Sequence, residues 1–142
     1  MTVPGVLVDF AVACGARFGA DAAGHNDDAA FVRVGDRTIH VNLDLNANRA
    51  VVWTELTRPP HAAIEALERA AMNYTDRALL EKGLVLGVNR AADLLLLGRS
   101  IEQDALYKEA GLDAVAEVAA EAQSAAGALA RASDRANGAT RT

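Results

Sequence analysis

His40 and Asp44 stand four residues apart in a stretch, Thr38 to Leu45, that alternates apolar and polar side chains, so a strand there carries both on one face. A histidine held by a carboxylate can act as a general base with its orienting group. With Trp53 as an aromatic wall, one reading is a small α+β ligand-binding domain or enzyme using a sheet-lined pocket around His40 and Asp44. The simpler reading is the wet face of a half-buried sheet. His25-Asn26-Asp27-Asp28 could ligate a cation, and reads equally as a solvated loop. The three histidines, His25, His40 and His61, are too scattered in sequence to announce a metal cluster. Cys14 is the only cysteine and falls on an apolar helical stripe, where a thiol behaves as a small hydrophobe. Gly83, Gly87 and Gly98 lack the spacing and the Lys-Ser/Thr pair of a phosphate loop. The expectation is a protein without catalytic residues, metal or cofactor, and not an enzyme.

The elements that would position these residues follow from periodicity. Val3, Leu7, Phe10, Cys14 and Phe18, with Val6 beside them, form one stripe of a first helix over Val6 to Phe18. A polar connection, Ala20 to Asp28, leads to Phe31-Val32-Arg33-Val34, a tight turn at Gly35-Asp36, and Thr38 to Leu45. Asn46-Ala47-Asn48 turns into a third strand, Ala50 to Leu56, completing an antiparallel meander. Pro59-Pro60 opens a second helix with Ile64, Leu67, Ala71 and Tyr74 on its apolar side, Ala63, Ala70 and Leu79 near them, and Glu65, Glu68 and Arg69 opposite. Leu84 to Val88 and Asp93 to Leu97 read as a hairpin. Leu94-Leu95-Leu96-Leu97 is apolar on both faces, which calls for a homodimer seam or a docked partner to cover it. Leu112 to Ala132 is a final alanine-rich helix, with Leu112, Val115, Val118, Ala119, Ala122, Ala126 and Leu129 inside and an acidic stripe of Asp113, Glu117 and Glu121. That stripe is a solvated face or part of a negative surface that steers a basic partner.

Composition bounds the function. The chain has 142 residues, 51% of them hydrophobic and 23% charged, which fits one folded domain over 1–132 with a flexible tail over 133–142. Alanine supplies 32 positions and aromatics only 4%, so the core must be built from Leu, Val and Ala. Fourteen basic against 19 acidic residues give a net charge of −5, an acidic balance that argues against a nucleic-acid partner. A single cysteine fits a reducing cytoplasm, and no apolar run is long enough for membrane insertion.

The resulting order, α-β-β-β-α-β-β-α with an antiparallel sheet packed with helices, resembles the class I type III secretion chaperones, the Tir-chaperone or CesT-like family, over about residues 5 to 132. The stretches that carry the likeness are Phe31 to Leu56, with Gly35-Asp36 at its first turn, and Ile64 to Leu97. In the latter, Ala71-Met72-Asn73 sits on a helix leading through Gly83 into two apolar strands, and Leu106 to Leu112 opens the last helix. The resemblance implies an α+β homodimer in the bacterial cytoplasm that binds the N-terminal chaperone-binding segment of a secreted effector, a virulence protein kept stable and secretion-competent. It also implies effector-binding residues on the first helix and sheet, Val6, Leu7, Phe10, Phe31, Val32, Ile39 and Val41. The dimer interface would lie on the second helix and following strand, at Ile64, Leu67, Ala71, Leu84, Leu86 and Val88. Further partners would be the secretion-apparatus ATPase or a regulator, the last making the chain a regulatory protein on the same fold.

Overall fold

Apolar residues at helical spacing start the chain. In the computed structural model, which describes residues 5–19, 23–25, 29–44, 46–59 and 61–140, α1 (Gly5–Phe18) buries Val6, Leu7, Phe10, Ala11 and Cys14 on one face. Val3, Ala20 to Ala22, the Asn26-Asp27-Asp28 segment, Leu45 and Pro60 lie outside the described residues. The strands are β1 (Ala23–His25), β2 (Ala29–Val34), β3 (Arg37–Asp44), β4 (Arg49–Leu56), β5 (Val85–Asn89) and β6 (Leu94–Glu102). Two further helices are α2 (Ile64–Lys82) and α3 (Glu109–Thr140), the latter preceded by a 3₁₀ turn at Gln103–Tyr107. The six strands form one sheet in the order β1-β2-β3-β4-β6-β5.

This is the expected α+β order with one strand added. β1 falls in the stretch read as a polar connection, because three residues, Ala-Gly-His, carry no strand signal of their own. Its conformation comes from antiparallel pairing with β2, Ala23↔Val32 to His25↔Ala30.

The chain divides into two compact units, Met1–Thr54 with Arg99–Ala119, and Glu55–Gly98 with Ala120–Thr142. In the first, β2 and β3 pair from Ala29↔Asn42 to Val34↔Arg37 around Gly35, whose φ of 63° is one that a residue without a Cβ adopts at no cost. β3 and β4 pair from His40↔Trp53 to Asp44↔Arg49, and Asp44 accepts the Ala47 N–H at 3.3 Å across the turn. Alternation puts Ala30, Val32, Ile39, Val41, Ala50 and Val52 inside, each 1% exposed or less. Thr54 joins them because its hydroxyl donates to the Thr38 carbonyl at 2.9 Å.

In the second unit, β5 and β6 pair from Val85↔Gly98 to Asn89↔Leu94. Leu67, Ala71 and Ala78 of α2 are buried, as are Leu84, Leu86, Leu95 and Leu97. α2 stops at Gly83, whose N–H reaches the Leu79 carbonyl at 3.0 Å. The last helix departs from its expected limits at both ends. It begins at Glu109 and continues past Ala132 through Ser133, 3% exposed, to Thr140. Ala125, rather than Ala126, shares the fully buried face with Ala122 and Leu129.

Candidate functional site

On the polar sheet face of the first unit, β3 and β4 bring His40 and Trp53 directly opposite each other. Their rings stack with centroids 4.4 Å apart and planes 21° from parallel, and the indole N–H donates to Asn42 Oδ1 at 2.7 Å. Phe31 is the next neighbour of His40 and Gly24 the next neighbour of Phe31, so one row crosses four strands. The Phe31 ring lies over Gly24, where a Cβ would meet it at 2.7 Å. Asp44, by contrast, sits four residues along the strand from His40, roughly 13 Å at strand rise. The two therefore form no base–carboxylate pair, and the pocket imagined around them is a stacked cross-strand row.

Cys14 is 1% exposed, and burial pushes its thiol up to about 12, only slightly opposed by Arg17. A thiol so held is not a nucleophile. Among the described residues no three His, Cys, Asp or Glu side chains come close enough to hold a metal ion.

The acidic stripe of α3 is spent inside the chain. Arg17 reaches Asp113 at 2.9 Å and Glu109 at 3.3 Å, and Arg99 reaches Glu117 at 2.9 Å. In the second unit Glu121 takes Lys82 on one oxygen and the Tyr74 hydroxyl, at 2.9 Å, on the other. The Lys82 contact and the Tyr74 hydrogen bond hold the Glu121 carboxyl below its ordinary range, while burial and that hydrogen bond push Tyr74 up to about 12. Each of the three acids is thus paired with a cation from another element, although Asp113 stays 65% exposed.

Apolar surface is also open in both units. In the first unit a cleft of about 620 Å³ opens between α1 and β1, lined by Val8, Ala11, Val12, Gly15, Ala16 and β1 itself. Val12 is 69% exposed on its rim. β1 is a terminal strand of the sheet, so the cleft runs beside an edge. Of the residues expected to touch an effector, Val6, Leu7, Phe10, Val32, Ile39 and Val41 are 5% exposed or less within the chain, and Phe31 alone is open. The other exposed large apolar residues among the described residues of α1 and β1 to β4 are Val12 and, on β4, Val51. Their signal was present in the helix pattern: Val12 falls outside the stripe that Phe10 and Cys14 define.

The second unit repeats the lesson. Leu67, Ala71, Leu84 and Leu86 are core, Ile64 and Val88 are half-buried, and the exposed large apolar side chains among the described residues are Met72, Leu79, Leu80 and Val85. On the sheet, Leu95 and Leu97 share the covered face with Leu86, while Leu94 and Leu96 lie half-exposed on the face of Val85.

An α1–sheet–α2–hairpin–α3 chain with this strand order has the secretion-chaperone fold that the order of elements implied. Solved structures with this fold include the following two. A chain of the ExsC–ExsE complex superposes with a TM-score of 0.70 at 13% identity, over 89% of this chain and 95% of that one. A chain of the HopA1–SchA chaperone–effector complex gives 0.55 at 14% identity, over 79% and 88%. No family profile and no curated protein matches by sequence.

Proposed function

We propose that the chain is a class I type III secretion chaperone, a binding protein without turnover that holds the N-terminal segment of a secreted effector in the bacterial cytoplasm. The observation that carries the reading is the near end-to-end superposition on a chain of the ExsC–ExsE complex, with the HopA1–SchA chaperone–effector complex alongside it. The surface chemistry agrees. An extended partner segment can pair its backbone with β1 and place bulky apolar side chains in the α1–β1 cleft, whose own lining is mostly Ala and Gly. Such a segment orders only on binding, so a long wrapped path is needed to offset the ordering cost. A second copy of the chain would cover Met72, Leu79, Leu80 and Val85, which the single chain leaves open. Keeping the effector stable and secretion-competent follows if its apolar segment is shielded until export.

Co-purification from the native bacterium, with the captured mass identified and the complex sized by light scattering, tests this. A dimer carrying one larger protein through its N-terminal segment is expected. A lone monomer with no protein partner overturns the reading.

A further inference from the structure

A six-stranded sheet has two edges, and here they are not equivalent. β5 is the terminal strand opposite β1. Since Leu86 is paired across from Leu97 without exchanging hydrogen bonds with it, its N–H and C=O point outward, away from β6. Both groups end on one atom. The Leu86 N–H donates to Thr75 Oγ1 at 2.9 Å, and the Thr75 hydroxyl donates to the Leu86 carbonyl at 3.2 Å. Two residues earlier, the Leu84 N–H reaches the Ala78 carbonyl, one turn further along α2, at 3.3 Å.

Threonine is a poor choice for the middle of a nineteen-residue helix, where its hydroxyl ordinarily turns back on the preceding turn. At position 75 it has a different task. A hydroxyl is at once a donor and an acceptor, so it can satisfy one strand residue's outward N–H and C=O as a neighbouring strand would. We infer that Thr75 is an edge-closing residue: its hydroxyl stands in for a seventh strand on β5 and denies that edge to any added strand, leaving β1 as the sheet edge available for pairing. The closure holds whether or not the chain is a secretion chaperone. Under that reading it also restricts an effector's strand to the α1–β1 side.

The test uses the full chain without any partner. Thr75→Val keeps the shape and removes the hydroxyl; Thr75→Ser keeps the hydroxyl; Thr75→Ala replaces Thr75→Val if that variant does not fold. Amide hydrogen exchange at Leu86 is expected to quicken about tenfold in Thr75→Val, as when one hydrogen bond is lost, and to stay near wild type in Thr75→Ser. Sedimentation velocity is expected to show concentration-dependent association in Thr75→Val beyond the wild-type species, and none added in Thr75→Ser. Unchanged Leu86 exchange in Thr75→Val overturns the inference. So does faster exchange with no new association, because the helix itself would then be the barrier. Failure of co-purification leaves these outcomes untouched, which keeps the two ideas separable.

Discussion

Phe10 and Val12 are two residues apart on α1 and should fail in opposite ways. Phe10 is 1% exposed, and Phe10→Ala deletes a ring from a core that holds few large side chains. Such a deletion costs about 3–5 kcal/mol, transfer and cavity together. Against a total stability on the order of 5–15 kcal/mol, that brings the chain near unfolding at 37 °C. Val12 is 69% exposed at the rim of the α1–β1 cleft, so Val12→Asp should change stability by no more than about 0.5 kcal/mol. If a partner covers that rim, the lost burial is worth roughly 1–2 kcal/mol, two thirds of a full valine, before the cost of desolvating the new carboxylate. Affinity should therefore fall at least about tenfold. Urea unfolding followed by circular dichroism gives the first quantity, and titration of the co-purified partner gives the second. The reasoning is refuted if Phe10→Ala costs less than about 1 kcal/mol, or if Val12→Asp binds like wild type.

The same logic separates Leu80, 89% exposed, from Leu86, 3% exposed. Leu80→Asp should yield folded monomers in sedimentation analysis if α2 meets a second copy, whereas Leu86→Asp buries a lone charge and should lose cooperative unfolding. Tyr74→Phe should cost about 1 kcal/mol at neutral pH by removing its bond to Glu121. Because folding raises the Tyr74 hydroxyl from 10 to about 12, its contribution is complete below pH 10 and is lost as pH climbs from there; Tyr74→Phe should flatten that alkaline decline. Glu121 runs the other way. Its carboxyl is lowered, so its contribution is present above the ordinary 4.5 and lost as pH falls through the lowered value; Glu121→Gln should flatten the acid limb of the same unfolding series. Cys14, held near 12, should resist a disulfide-exchange reagent at pH 8 and react at once in denaturant.

Strong local signals were readable in the amino-acid order. The Gly35-Asp36 turn fixes the β2–β3 register, and the alternation from Thr38 onward assigns Ile39 and Val41 to the core and His40 and Asn42 to the wet face. What escaped depends on partners distant in sequence. β1 is a strand only because β2 lies beside it. The acids of α3 look like a free stripe until Arg17, Arg99 and Lys82 arrive from other elements. Periodicity names an apolar face without saying whether the chain or a partner covers it, so Phe10 and Leu86, its strongest members, are core. The large apolar side chains left open are Val12 and Leu80, which the stripe leaves out.

The shortness of β1 has a mechanical consequence. Three residues offer an incoming strand only a few backbone hydrogen bonds, each worth roughly 0.5–1.5 kcal/mol net, against the roughly 12 kcal/mol of a nanomolar complex. If the chain binds an effector as proposed, a tightly held one must be fastened at several separate points along its length, each weak by itself. Pulled from one end, it comes away point after point, like adhesive tape peeled from a surface, and the force needed at any instant is that of a single attachment. Under the proposed function, such a chaperone would hold its effector tightly at equilibrium and still surrender it to a modest steady pull.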